Sequence, residues 1–235
     1  MADNKISKEK KVKSKVTADT VEKALNVNTK ETEAKKTRFR PNIIITGTPG
    51  CGKSTLSKTL EKIPELKINL FNISEYAKDN KIFESYDESR DSHVIDEDEL
   101  LDRLETPLRE GGCIIDWHCN DIFPERLIDL VVVLKCGTSE LYDRLKARNY
   151  KDSKIQENID AEIMSVVLDD ALESYDERIV IELQNDQKSH TQENVDKIKA
   201  WYKQWLLDNE HGVTNEIDEF YKDREMPKDW DSDEE

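Results

Sequence analysis

Two rhythms of apolar residues begin just after Pro41 and alternate along the chain. Short, dense apolar runs at 43–46, 66–70, 113–116, 130–135 and 179–183 predict strands. Val131, Val132, Val133 and Leu134 are consecutive, as in a strand covered on both faces. Between these runs, apolar positions recur three and four residues apart. That spacing predicts helices over 53–62, 74–80, 97–110, 138–148, 154–175 and 191–208. Ile155, Ile159, Ile163, Val166 and Val167 carry the fifth helix. Val195, Ile198, Trp201, Trp205 and Leu206 carry the sixth, with both tryptophans expected as core packing. Strands alternating with helices predict an α/β fold, a parallel sheet wrapped by helices. Such sheets bind ligands at the carboxyl ends of their strands, where the strand order reverses. Residues 1–40 show neither rhythm and are expected to be mostly disordered.

Composition adds limits. The chain has 235 residues, enough for one sizeable domain or two small ones. Hydrophobic residues make up 36% and charged residues 37%, which suits a modest core with long solvated segments. No apolar run reaches the roughly 18 residues of a membrane span, so none is expected. The start, Met-Ala-Asp-Asn-Lys, lacks an apolar stretch, so no secretory signal is expected. Cys51, Cys113, Cys119 and Cys136 have no disulfide-framework spacing and are expected as reduced thiols.

The net charge of −16 is unevenly spread. Residues 1–40 hold 12 Lys and Arg against 6 Asp and Glu, residues 41–207 hold 21 against 34, and residues 208–235 hold 3 against 12. An acidic centre argues against a surface that coats nucleic acid. The basic leader suits an RNA contact or a nuclear address as well as it suits a solvated arm, so direct RNA contact stays open. The acidic tail, expected to be disordered over 209–235, would attract a basic protein or simply keep the chain soluble.

Chemistry concentrates in three places. Gly47-Thr48-Pro49-Gly50-Cys51-Gly52-Lys53-Ser54 fits the phosphate-binding pattern of a glycine, four free positions and Gly-Lys-Ser/Thr. It lies between a predicted strand and a predicted helix. Loop amides and the helix N-terminus would hold polyphosphate there. Lys53 would place a charge on the outer phosphates, and Ser54 would offer a hydroxyl to Mg²⁺. Asp116 ends the predicted strand 113–116, where a carboxylate either holds Mg²⁺, directly or through water, or caps the next turn. His118, two residues on, would orient or deprotonate an attacking water, or serve as an ordinary structural histidine. Arg144 and Arg148 share one helix face. Arg148 is the better candidate, and Arg144 the weaker, for shielding a transferring phosphoryl group; ordinary surface ion pairs are the alternative.

Together these motifs resemble the adenylate kinase isoenzyme 6 family, nuclear adenylate kinase-like factors of small ribosomal subunit maturation. The likeness covers about residues 41–208. It also takes in Pro41-Asn42-Ile43, Tyr86-Asp87-Glu88, Ile95-Asp96-Glu97-Asp98, Asp116-Trp117-His118, Phe123-Pro124-Glu125-Arg126 and Leu141-Tyr142-x-Arg144-Leu145-x-x-Arg148. The resemblance implies a three-layer P-loop nucleoside monophosphate kinase fold with a parallel five-stranded sheet. A monophosphate-binding insert would lie at about 72–95 and a short lid at about 147–157. ATP contacts are implied at Gly50, Gly52, Lys53, Ser54 and Thr55, with Arg148 closing over the nucleotide. Asp116 and His118 are implied as a Walker B-like pair used for hydrolysis. Implied substrates are ATP and AMP, with Mg²⁺ as cofactor. Implied activities are adenylate kinase and ATPase, in nucleus and cytoplasm, in late processing of small-subunit (18S) ribosomal RNA. The implied partners are a basic platform protein of that subunit and the pre-ribosomal particle.

Overall fold

The computed structural model describes residues 36–87 and 92–222. In chain order its elements are β1 (Thr37–Arg38), β2 (Ile43–Thr46), α1 (Lys53–Glu61), β3 (Asn69–Asn72), α2 (Ile73–Asn80), β4 (Ser85–Asp87), β5 (Ser92–Val94), α3 (Glu97–Glu110), β6 (Cys113–Asp116), β7 (Leu130–Lys135), α4 (Thr138–Ala147), α5 (Asp152–Ile163), α6 (Val166–Ser174), β8 (Val180–Gln184), α7 (Lys188–Asp208), β9 (Val213–Thr214) and α8 (Ile217–Phe220). Five strands form one sheet in the order β3-β6-β2-β7-β8, and every pairing in it is parallel. The chain leaves β2 toward one edge and later returns to the other side through β7. The strand order therefore reverses beside β2, where an open sheet offers a crevice at its carboxyl edge.

Successive side chains of the central strands enter opposite layers. Ile43, Ile45, Val132 and Leu134 pack with Leu56 and Leu60 of α1 and with Val195, Ile198 and Tyr202 of α7. Ile44, Val131 and Val133 pack with Leu100, Leu104 and Leu108 of α3 on the other face. This double coverage is why the run 130–135 is apolar without alternation. Trp201 and Trp205 do pack: Trp201 lies partly buried against the first layer and Trp205 is buried.

Three expectations are revised. The second strand occupies 69–72 rather than 66–70. Lys67 takes a left-handed φ of 49°, and Leu66 is buried in a turn whose carbonyl accepts from the Tyr202 hydroxyl at 2.7 Å. The helix expected over 154–175 is two helices, broken at Ser165 with φ 57°. Ile155 lies in the core, but Ile163 and Val166 are exposed, so the single apolar stripe does not persist. The segments 1–40 and 209–235, expected to be disordered, are ordered where they are described. Residues 37–38 pair antiparallel with 213–214, and 217–220 form a short helix. The joint is Arg38, 1% exposed, whose Nη2 and Nε donate to the Asp129 carboxylate at 2.8 and 3.0 Å. Its Nη1 donates to Asn215 Oδ1 at 2.7 Å and to the Thr214 carbonyl at 3.2 Å. Residues 1–35 and 223–235 of these expected segments lie outside the described residues, as does Glu88 of the insert.

Candidate phosphoryl-transfer site

From Thr46 the chain turns through Gly47–Gly52 into α1. Gly47 has φ 137° and Gly52 φ 99°, regions that L side chains rarely adopt. A Cβ on Gly47 would stand 2.4 Å from the Leu134 carbonyl oxygen, and one on Gly52 would stand 2.4 Å from Asn185 Nδ2. The turn thus brings backbone against neighbouring strands and starts α1 at the carboxyl edge of the sheet. The Thr55 and Leu56 amides both reach the Gly52 carbonyl at 3.1 Å, and the amides that open the first turn before them make the helix N-terminus a ready anion site. Gly50, Gly52, Lys53, Ser54 and Thr55 all lie on this turn and the first residues of α1, and Thr55 is exposed. Lys53 Nζ donates to the Gly47 carbonyl at 2.6 Å and the Thr48 carbonyl at 3.3 Å. Burial lowers its pKa from the ordinary lysine value. The charge of Arg148 adds to that shift, while the Asp116 and Glu162 carboxylates oppose it. Such an ammonium gains from an arriving phosphate.

Asp116 ends β6, in register with Ile45 of β2 and Asn72 of β3. It is buried, and its Oδ2 accepts from Asn72 Nδ2 at 2.7 Å. The same Nδ2 donates to Ser54 Oγ at 3.2 Å. Three separate stretches thereby bring a hydroxyl and a carboxylate to one amide beside the phosphate loop. These hard oxygens fit Mg²⁺, which keeps several waters and takes one or two protein oxygens plus phosphate.

His118 lies beyond the strand end, exposed at the mouth, with its ring edge-on to Trp117. The surrounding cleft, followed by the charges of Lys53 and Lys154, pushes its pKa down to about 4. The neutral ring is the form present above that value, and it is lost only as pH falls through it. At neutral pH the imidazole is therefore neutral and offers a nitrogen that accepts a hydrogen bond, while its lowered pKa makes it a weak proton base. An NMR titration of the nucleotide-free protein should give a His118 midpoint near 4; a midpoint at the ordinary histidine value of about 6.5 would contradict this placement.

The two arginines separate. Arg144 turns inward: Nη1 donates to the Gly50 carbonyl and Cys136 Sγ, each at 3.3 Å, and Nη2 to the Asn185 carbonyl at 3.0 Å and the Asp186 carbonyl. It braces the phosphate loop, and its role as a shield for transferring phosphate is withdrawn because these acceptors occupy both terminal nitrogens. Arg148 caps α4, is exposed, and sits near enough to Lys53 to depress its ammonium. After it, Asn149 takes φ 59°, a turn that asparagine tolerates, and leads into α5 with Lys151 and Lys154. A short basic segment therefore joins α4 to α5 within the expected lid.

Three polar residues escaped the sequence. Glu162, near the end of α5, is buried under the loop. Its carboxylate accepts from the Thr48 hydroxyl and from the Cys136 amide at 2.9 Å, with Lys135 Nζ 3.5 Å away. Asn185 Nδ2 donates to the Cys51 carbonyl at 2.7 Å. Asn72 is the third. Only Asn72 had a local signal, because Asn72-Ile73-Ser74-Glu75 reads as a helix start at the end of a strand.

A family model described as an AAA domain matches residues 43–165. The chain is 60% identical over 180 residues to "Adenylate kinase isoenzyme 6 homolog FAP7" of Saccharomyces cerevisiae, covering 76% of this chain and 90% of that one. It is 52% identical over 192 residues to "Adenylate kinase isoenzyme 6 homolog HBR1" of Candida albicans, covering 78% and 77%. It is 44% identical over 165 residues to "Adenylate kinase isoenzyme 6 homolog" of Caenorhabditis elegans, covering 69% and 90%.

Proposed function

Because the chain belongs to the adenylate kinase isoenzyme 6 family, we propose that it moves the γ-phosphoryl group of ATP to AMP, giving two ADP, and to water when AMP is absent. The observation that carries this reading is the convergence of Lys53, Ser54, Asp116 and His118 at one strand-end crevice, with Arg148 beside it. The loop amides and Lys53 bind the phosphates and neutralise their charge. Ser54 and Asp116 would hold Mg²⁺, which supplies charge neutralisation across the phosphate oxygens when bound. Arg148, with its planar guanidinium, closes from the lid onto the transferring group. His118, neutral, orients the nucleophile by accepting a hydrogen bond from it. The insert of α2 and the β4–β5 hairpin, with Phe83 stacked on His93 at 4.3 Å, lies on the acceptor side in this reading.

We place this activity in small ribosomal subunit biogenesis and 18S rRNA maturation, in nucleus and cytoplasm, with a basic platform protein as partner. The net charge of −16 supports a basic partner. The same charge favours a second reading, in which ATP binding and hydrolysis switch the grip on that protein and AMP phosphorylation is incidental. Matched ATP turnover with and without AMP separates the two. The first reading expects AMP to raise ATP consumption at least about tenfold, consistent with a positioned acceptor. Turnover indifferent to AMP but stimulated by a basic ribosomal protein would favour the switch.

A further inference from the structure

Asn72 has no role in the chemistry assigned so far, yet it touches both oxygens placed around the cation. Its Nδ2 carries two hydrogens, and two acceptors take them: Asp116 Oδ2 at 2.7 Å and Ser54 Oγ at 3.2 Å. Its Oδ1 accepts from the Glu75 amide at 3.0 Å and so starts α2. Glu75 in turn pairs with Lys58 of α1 at 3.2 Å. One side chain thus joins the phosphate-loop helix, the β6 carboxylate and the first helix of the insert.

We propose that Asn72 is a positioning residue for the divalent cation and that it ties the insert to the metal-facing oxygens. This rests on the reading of the site as a magnesium–nucleotide site. The reason is geometric. A hydroxyl accepting from Asn72 has one lone pair taken and its rotor fixed, which leaves the other lone pair for a cation. A carboxylate held through Oδ2 presents Oδ1 to a metal or to its water. Without the amide, both groups rotate freely, and the cation must order them on binding. Partners that orient a metal's ligands in this way are typically worth about 10- to 100-fold in metal affinity or activity. The amide oxygen adds a second consequence, because any shift of α2 is felt at the same two oxygens.

Asn72→Ser is the informative change, since serine keeps an acceptor for the Glu75 amide and loses the paired donors. Asn72→Gly, also a good helix start, serves if the serine variant is poorly folded. ADP affinity is measured by calorimetry in EDTA, and Mn²⁺ affinity of the protein–ADP complex by electron paramagnetic resonance. The expected result is ADP affinity in EDTA within about twofold of wild type and Mn²⁺ affinity weaker by about tenfold or more. Unchanged Mn²⁺ affinity would overturn the role of Asn72. So would an equal fall of both affinities, the mark of a merely structural contact. Failure of the wild-type chain to bind ADP would instead overturn the nucleotide reading beneath it.

Discussion

Replacing Lys53 with alanine should lower AMP-dependent ADP formation by on the order of 10²- to 10³-fold, the cost of removing one preorganised donor from a developing charge. The fold should survive. Lys53 Nζ bonds only loop carbonyls, those of Gly47 and Thr48, among the described residues. Its pKa is lowered by burial, so the folded chain disfavours the ammonium relative to the unfolded chain. Removing it relieves that penalty, and the thermal midpoint should stay level or rise. Rate loss without loss of stability identifies a group whose strongest partner arrives with the nucleotide. Unchanged turnover would remove the assignment.

Arg38→Ala should do the reverse, costing about 3–5 kcal/mol of stability. The guanidinium and the Asp129 carboxylate are 1% and 6% exposed, so truncation strands a carboxylate away from water. Asn215 and the Thr214 carbonyl lose a donor with it. At the usual scaling for a chain of this size, the thermal midpoint falls by roughly 6–20 °C. A double variant, Arg38→Ala with Asp129→Ala, should recover part of the loss, since the carboxylate no longer needs a partner. A fall under about 1 kcal/mol would mean that 36–40 and 209–222 merely rest on the domain instead of closing it.

These two residues also mark what local sequence can and cannot reveal. Lys53 belongs to a contiguous pattern between an apolar run and a helical run, and turn, strand and helix all follow from neighbours in the chain. Asp116 was legible for a similar reason, as the polar end of an apolar strand. Arg38 was assigned to a disordered leader because its partners lie 91 and 177 residues away. Glu162 has no local sequence signal, and only the fold brings it to Thr48, 114 positions earlier. The break at Ser165 had no glycine or proline to announce it. The strand at 69–72 was misplaced because its site end is polar: Asn72 is there to hold Ser54 and Asp116, at the expense of an apolar pattern.

Arg144 and Arg148 give the converse lesson. Spacing of four put them on one face, yet the end of α4 separates them. One is locked onto the Gly50, Asn185 and Asp186 carbonyls, and the other stands at the start of the basic segment leading to α5.

Phosphoryl transfer to AMP is tested most directly by following the γ-phosphoryl group itself. Purified chain, magnesium, AMP and ATP labelled at the γ position are incubated, and the products are separated. Label should appear at the β position of ADP, at a rate that rises with AMP and is lost in Lys53→Ala. Label recovered only as inorganic phosphate, at a rate indifferent to AMP, would contradict it.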